Sequence, residues 1–97
     1  MASVSVTIIK VTDDGTYPMW AEAQLTDRFG EVHIFRDKLP IFMAHDPTEI
    51  PCEGIIGCRV TEERDGYCIV DTSLPDDVED DEGRTRFEVD KGLVSMD

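Results

Sequence analysis

Apolar and polar residues alternate with a period of two in several short segments of this chain, and that period limits what it can fold into. Val4, Val6 and Ile8 alternate with serine and threonine, and residues 84–89 repeat the pattern with charged neighbours. Successive side chains of a β-strand point to opposite faces of its sheet, so each alternating segment predicts a strand with one buried face. No segment indicates a long helix.

A first hairpin is predicted from Met19–Thr26 and Glu31–Asp37, joined by the loop Asp27–Gly30. Glycine in the loop suits a left-handed backbone position. A four-residue loop would place Thr26 opposite Glu31, and a shift by one residue would exchange the two faces of a strand. In this register one face carries Ala21, Ala23, Leu25, Val32 and Ile34, and the other carries Trp20, Glu22, Gln24, His33 and Phe35.

A second hairpin is predicted from Ile55–Glu63 and Tyr67–Thr72 around the three-residue loop Arg64–Gly66. With Glu63 opposite Tyr67 and a bulge at Gly66, one face becomes a core stripe. That stripe comprises Ile56, Cys58, Val60, Cys68 and Val70.

The segment between the hairpins contains prolines and predicts less regular structure. Pro40 cannot donate to a β-ladder, so Leu39–Met43 is expected to be an edge strand or an extended segment. Asp46–Glu49 resembles the start of a helix, but Pro51 would end it within about one turn.

Together these segments predict an all-β fold, a small antiparallel barrel or sandwich of five or six strands with at most one short helical turn. The 97 residues are expected to form a single β-domain spanning 1–97. Closure of the sheet would bury the apolar stripes and limit exposed edges. The alternative is an open sheet that completes its core by dimerising.

The balance of charge narrows the range of partners. Twenty-two acidic residues oppose nine basic ones, which gives a formal net charge of −13. Such a chain is expected not to bind nucleic acid or an anionic membrane unaided, because both require a positive surface. The negative charge is consistent with a basic partner, and equally with a surface whose charge serves only to keep the protein soluble.

The odd cysteine count and the absence of a signal-like segment predict a cytoplasmic protein with reduced thiols.

No sequence pattern indicates catalysis. The chain has no glycine-rich phosphate loop, no triad pattern and no metal-ligand spacing, so we expect neither an enzyme nor a cofactor. His45 and Cys52 could form a nucleophile pair only if the fold brought them together. Asp77, Glu79, Asp81 and Glu88 have part of a calcium-loop spacing, but the glycine at its sixth position is missing.

The function predicted from these features is that of an acidic protein-binding module that neutralises or scaffolds a basic protein. Two groups of residues are candidates for the contact, an acidic loop and an aromatic face that would be either a contact surface or a second core. These residues are Asp76, Asp77, Glu79, Asp80, Asp81 and Glu82 in the loop, and Trp20, His33 and Phe35 on the face. The alternatives are a homo-oligomeric structural protein, such as a homodimer assembling through an apolar sheet face, and a small-molecule carrier.

Overall fold

Antiparallel strands form most of the fold in the computed structural model, which describes residues 1–13, 15 and 17–96. In that part of the chain the strands are β1 (Ala2–Thr12), β2 (Trp20–Thr26), β3 (Val32–Lys38), β4 (Cys52–Glu63), β5 (Tyr67–Asp71), β6 (Arg86–Asp90) and β7 (Val94–Ser95). They form one sheet in the order β3-β2-β1-β4-β5-β6, with β7 beside β1, and the sheet curls into a half-barrel. The all-β prediction is confirmed. None of the described residues belongs to a helix with the length and hydrophobicity needed to cross a bilayer.

The helical turns do not lie where the sequence predicted one. Among the described residues, two single 3-10 turns occur, at Leu39–Ile41 and Lys91–Leu93, while Asp46–Glu49 contains only bends. The first turn replaces the edge strand or extended segment expected around Pro40. It forms because Leu39 and Phe42 are both buried in the core and the backbone N–H of Phe42 donates to the carbonyl of Leu39 at 2.9 Å. The exposed Asp46–Glu49 segment has no comparable apolar anchor.

The core lies on the concave side of the sheet and collects the alternating residues. Val4, Val6 and Ile8 of β1 are buried, as their alternation predicted. Side chains from the other strands and from the segments between them fill the space they enclose. The remaining buried apolar residues are Ala21, Ala23, Leu25, Phe35, Leu39, Phe42, Ile56, Cys58, Cys68, Val70, Val78, Phe87 and Val89.

The predicted register of the first hairpin is wrong by one residue. Thr26 pairs with Val32 instead of Glu31, so the loop has five residues, Asp27–Glu31. The longer loop forms because the Asp27 carboxylate accepts the backbone N–H of Phe29 and of Glu31, each at 2.9 Å, which draws Glu31 into the turn. The faces of β3 are thereby exchanged: Phe35 is fully buried and Val32 is 51% exposed.

The second hairpin shows the same one-residue error with a different consequence. Glu63 pairs with Cys68 instead of Tyr67, and the bulge lies between Val60 and Glu62 instead of at Gly66. Because the extra residue in β4 shifts the pairing back, Cys58 and Cys68 both remain buried, as predicted. All three cysteines are free thiols.

The closest backbone packing in the core is at Gly54, which leads to a stability prediction. A Cβ atom at Gly54 would lie 2.9 Å from Cδ1 of Ile8 and 3.0 Å from the carbonyl oxygen of Phe42. We expect Gly54→Ala to lower the free energy of unfolding by about 1–3 kcal/mol through overpacking. The matched variant Gly92→Ala, whose Cβ meets no atom within 4 Å, should change it by less than about 0.5 kcal/mol. Equal effects of the two variants in urea melts would contradict this packing.

The three thiols should differ in reactivity. Burial, together with the nearby Cys68 thiol, raises the pKa of Cys58 to about 11, so almost none of it is thiolate at neutral pH. Cys68 is also buried, whereas Cys52 is only half-buried. We expect a thiol-specific chromogenic reagent at pH 7.5 to label one cysteine of the native protein readily and all three after denaturation. Rapid labelling of three thiols without denaturant would refute this.

Candidate functional site

The two strands that end the sheet order, β3 and β6, come together across the open side of the half-barrel. The Phe87 ring of β6 lies 4.9 Å from the ring of His33 and 5.4 Å from that of Phe35, measured between centroids. One backbone hydrogen bond, from the N–H of Arg28 to the carbonyl of Glu88 at 2.9 Å, also spans this gap. We call this junction of His33, Phe35 and Phe87 the seam.

Two five-residue loops of the same construction flank the seam. They are Asp27–Glu31, the Asp27 loop, and Asp80–Arg84, the Asp80 loop. Each has glycine in fourth place, with φ of +82° in the first and +78° in the second. In each, the first N–H donates to the fifth carbonyl at 2.9 Å. The leading aspartate accepts the third and fifth N–H through Oδ1, at 2.9 and 2.9 Å in the Asp27 loop and at 3.0 and 2.7 Å in the Asp80 loop.

His33 lies between the two aspartates that begin these loops. Its Nε2 is 2.8 Å from Oδ2 of Asp27, and its Nδ1 is 3.5 Å from Oδ2 of Asp80. The imidazole is 5% exposed, and Nδ1 has no hydrogen-bond partner. Asp80 Oδ2 also accepts the Arg84 Nε–H at 2.8 Å. One buried histidine therefore faces a carboxylate at each ring nitrogen.

Both carboxylates favour their charged form. Burial raises the pKa of Asp27, but hydrogen bonds from the His33 ring and from two loop amides outweigh it, so the pKa lies below its ordinary value. Burial also raises the pKa of Asp80. There the backbone and guanidinium N–H groups of Arg84, with the Glu82 amide, again bring the pKa below its ordinary value. Two ionised carboxylates, Asp27 and Asp80, therefore lie next to the seam on the two sides of His33.

An open cleft of about 480 Å³ runs beside the seam, and His33 and Asp27 form part of its wall. Asp27, Glu31 and His33 each present one ligand-type atom to the cleft, and these atoms lie within 4.8 Å of one another. The residues that line the cleft are Asp27, Phe29, Glu31, His33, Ile69, Arg84, Arg86, Phe87 and Glu88.

The Arg28 side chain packs against the aromatic rings of Phe29 and Tyr67. Its guanidinium carbon lies 4.2 Å from the Phe29 ring centroid and 3.9 Å from that of Tyr67, and its Nε donates to Glu88 at 2.9 Å. A guanidinium between two aromatic rings and a carboxylate is held in one place. Arg28 therefore ties the Asp27 loop to the outer face of β5 and β6.

The predicted acidic loop is divided between surface and interior. Asp76, Asp77 and Glu79 are exposed, whereas Asp80 is 4% exposed and lies next to the seam. Including Asp80 in an exposed acidic surface was therefore wrong. Asp81 and Glu82 are exposed and approach Arg36 and Arg84, with N–O distances of 4.0 and 2.7 Å. Glu88 lies in β6, and among the described residues no ligand-type cluster of the predicted calcium spacing is formed.

The predicted aromatic face is also divided. Trp20 is 48% exposed at the start of β2, but His33 and Phe35 point into the core, because the true register exchanges the faces of β3. Grouping the three residues on one face was therefore wrong. Sequence reasoning also missed Asp27, Glu31 and Arg84 as members of a site. The signal available was the shared spacing of aspartate and glycine in residues 27–30 and 80–83.

Comparisons of the chain with family models, curated proteins and solved structures found no match. Its function is therefore inferred from its own residues.

The ionised carboxylates of the seam lead to a prediction about acid. Because both pKa values are lowered in the folded state, their contribution to stability is fully present above the ordinary value of 3.8 and is lost as the pH falls below it. Asp80→Asn removes the acceptor of the Arg84 Nε–H. We expect it to lower the free energy of unfolding at pH 7 by about 1–3 kcal/mol and to flatten the loss of stability as the pH falls below 3.8.

The neighbouring variant Asp81→Asn is the matched control, since it removes an exposed carboxylate 4.0 Å from Arg36. We expect a change of less than about 0.5 kcal/mol for it. Denaturant melts at several pH values measure both variants. Indistinguishable melts for the two variants would show that the ionised Asp80 carboxylate does not stabilise the fold.

Proposed function

We propose that this protein is a binding module that engages a basic protein partner through the loop at residues 73–79, and that it is not an enzyme. The observation that carries the proposal is the set of three exposed carboxylates at Asp76, Asp77 and Glu79. Within the described part of the chain, none of the three has an ion-pair partner. Their charges are therefore available to a partner without breaking an internal pair.

The chain on both sides of these carboxylates is anchored to the fold. Val78 is fully buried, its N–H donates to the carbonyl of Thr72 at 3.0 Å, and the Thr72 hydroxyl donates back to the Val78 carbonyl at 2.6 Å. The N–H of Asp77 donates to Ser73 at 2.9 Å. The backbone that carries these carboxylates is therefore already held in position, so little backbone conformational entropy would be lost on binding.

An apolar groove adjoins the loop. It has a volume of about 400 Å³, and three of its side chains are well exposed: Met1 at 76%, Leu74 at 49% and Met96 at 57%. Protein interfaces commonly combine an apolar centre with a polar rim. The groove and the carboxylates of loop 73–79 together suit a segment in which lysine or arginine side chains surround an apolar one.

The charge of the whole protein supports the same class of partner. A net charge of −13 attracts a basic protein over distance and repels acidic ones. If the loop covers a cationic surface of the partner, the protein neutralises that surface. If the groove binds the partner as well, the protein also acts as a scaffold for it. Neutralisation and scaffolding would therefore use the same contact surface.

The proposal is tested by comparing two triple variants that lose the same total charge, one in loop 73–79 and one elsewhere on the surface. Asp76→Asn, Asp77→Asn and Glu79→Gln together remove three charges from loop 73–79. Asp46→Asn, Glu49→Gln and Glu53→Gln remove three exposed charges elsewhere. Asparagine suits position 77 because the backbone there has φ of +54°, which asparagine and aspartate tolerate better than most residues. Proteins retained from a native lysate by the immobilised wild type are purified, and the affinity of each for all three forms is measured.

We expect the loop variant to bind a basic partner at least about tenfold more weakly, while the control stays within about threefold of the wild type, because a localised charged contact exceeds the effect of net charge. Leu74→Asn should weaken binding through the groove. Added salt should also weaken it, as the Debye length shortens to about 8 Å near 0.15 M. Equal losses in the two triple variants would indicate unspecific attraction and would reject the loop as the contact.

A further inference from the structure

We infer that the cleft beside the seam is a binding site for a divalent transition-metal ion, with Zn²⁺ the best-suited probe, held by Asp27, Glu31 and His33. The inference begins at the His33 nitrogen that faces the interior. Nδ1 lies 3.5 Å from an ionised carboxylate oxygen of Asp80 and has no hydrogen-bond partner. Because Nε2 donates its proton to the nearer Asp27 carboxylate, at 2.8 Å, Nδ1 is the nitrogen that can take up a proton when Nε2 binds a metal ion.

A metal ion would take the place of the proton on Nε2. In the metal-free protein this proton lies between Nε2 and Oδ2 of Asp27, which are 2.8 Å apart. When a metal ion binds Nε2 and Asp27, the ring proton moves to Nδ1, beside the Asp80 carboxylate. Metal-bound histidines commonly direct their other N–H at a carboxylate, and Asp80 stands in that position.

The geometry of the cluster suits a small ion. The ligand atoms of Asp27, Glu31 and His33 lie within 4.8 Å of one another. A tetrahedral ion with bonds of about 2.0–2.2 Å holds its ligand atoms about 3.3 Å apart, so the Asp27–His33 pair needs to separate by only about half an ångström. One imidazole nitrogen with two carboxylate oxygens is a zinc-type ligand set, whereas calcium and magnesium prefer oxygen alone.

The surrounding charge also favours a cation. The charged groups near His33 are four carboxylates and one guanidinium, which carry a net charge of −3. They are Asp27, Glu31, Asp80, Glu82 and Arg84. The other nearby arginines are balanced, with Arg28 paired to Glu88 and Arg86 close to Asp71. A divalent ion would reduce the excess charge to −1, and the open cleft provides its entry path and room for a water ligand.

Glu31→Gln is the sharpest test, because Glu31 is exposed and its carboxylate forms no ion pair with any residue that the structure describes. The titration uses a background with Cys52→Ser and His45→Asn, which removes the more accessible thiol and the second of the two histidines. Zn²⁺ is added to the full-length protein and followed by calorimetry and by ¹⁵N shifts of the His33 ring. Glu49→Gln, which removes an exposed carboxylate that does not line the cleft, is the matched control.

We expect one Zn²⁺ per chain in the background protein, with the Nε2 resonance moved to a metal-bound position and the ring proton moved to Nδ1. Glu31→Gln should weaken binding at least about tenfold, as should Asp80→Asn, whose carboxylate orients the imidazole. Glu49→Gln should bind within about twofold of the background, and the melting temperatures of Glu31→Gln and the background without zinc should agree. Unchanged zinc affinity in Glu31→Gln, or His33 shifts that follow pH but not zinc, would overturn the inference and leave Nε2 as a proton site only.

Discussion

The contact on which this fold depends most is that of one buried imidazole with two carboxylates from separate loops. A curled sheet in the order β3-β2-β1-β4-β5-β6 leaves two edge strands, which are open to pairing with other chains unless something covers them. His33 on β3 lies against Phe87 on β6 and between Asp27 and Asp80. Buried charges are tolerated only when they are paired and hydrogen-bonded, so this arrangement favours one way of closing the sheet.

The Asp27 loop and the Asp80 loop supply the two carboxylates through the same pattern of local hydrogen bonds. In each loop the leading aspartate holds two amides with Oδ1, which leaves Oδ2 free to reach the histidine. The Asp80 loop also covers the edge of β3, because the N–H of Asp81 donates to the carbonyl of Ile34 at 2.8 Å. The Asp80 loop therefore contributes to the turn, to the protection of the edge strand and to the polar cluster around His33. The acidic loop predicted from the sequence thus has two parts, with Asp80 inside the fold and loop 73–79 outside it.

The sequence pattern predicted the strands well and the registers poorly, for a definable reason. Alternation marks which residues of a strand share a face, and β1 and β6 follow it with Val4, Val6, Phe87 and Val89 buried. It does not count the residues in a turn. In the first hairpin, hydrogen bonds from backbone N–H groups to the Asp27 carboxylate lengthen the loop to five residues and exchange the faces of β3. In the second, a bulge beside Val60 restores the core stripe that the loop alone would have shifted.

The sequence by itself determined the all-β class, the positions of both hairpins and the burial of Cys58 and Cys68, because each follows from local periodicity and turn chemistry. Tertiary structure alone decided that His33 and Phe35 face inward, that Asp80 is buried while Asp77 is not, and that Asp27, Glu31 and His33 share a cleft. These features depend on how the sheet curls and closes. Closure brings together the Asp27 and Asp80 loops, which are remote in sequence, and no local pattern encodes the distance between them.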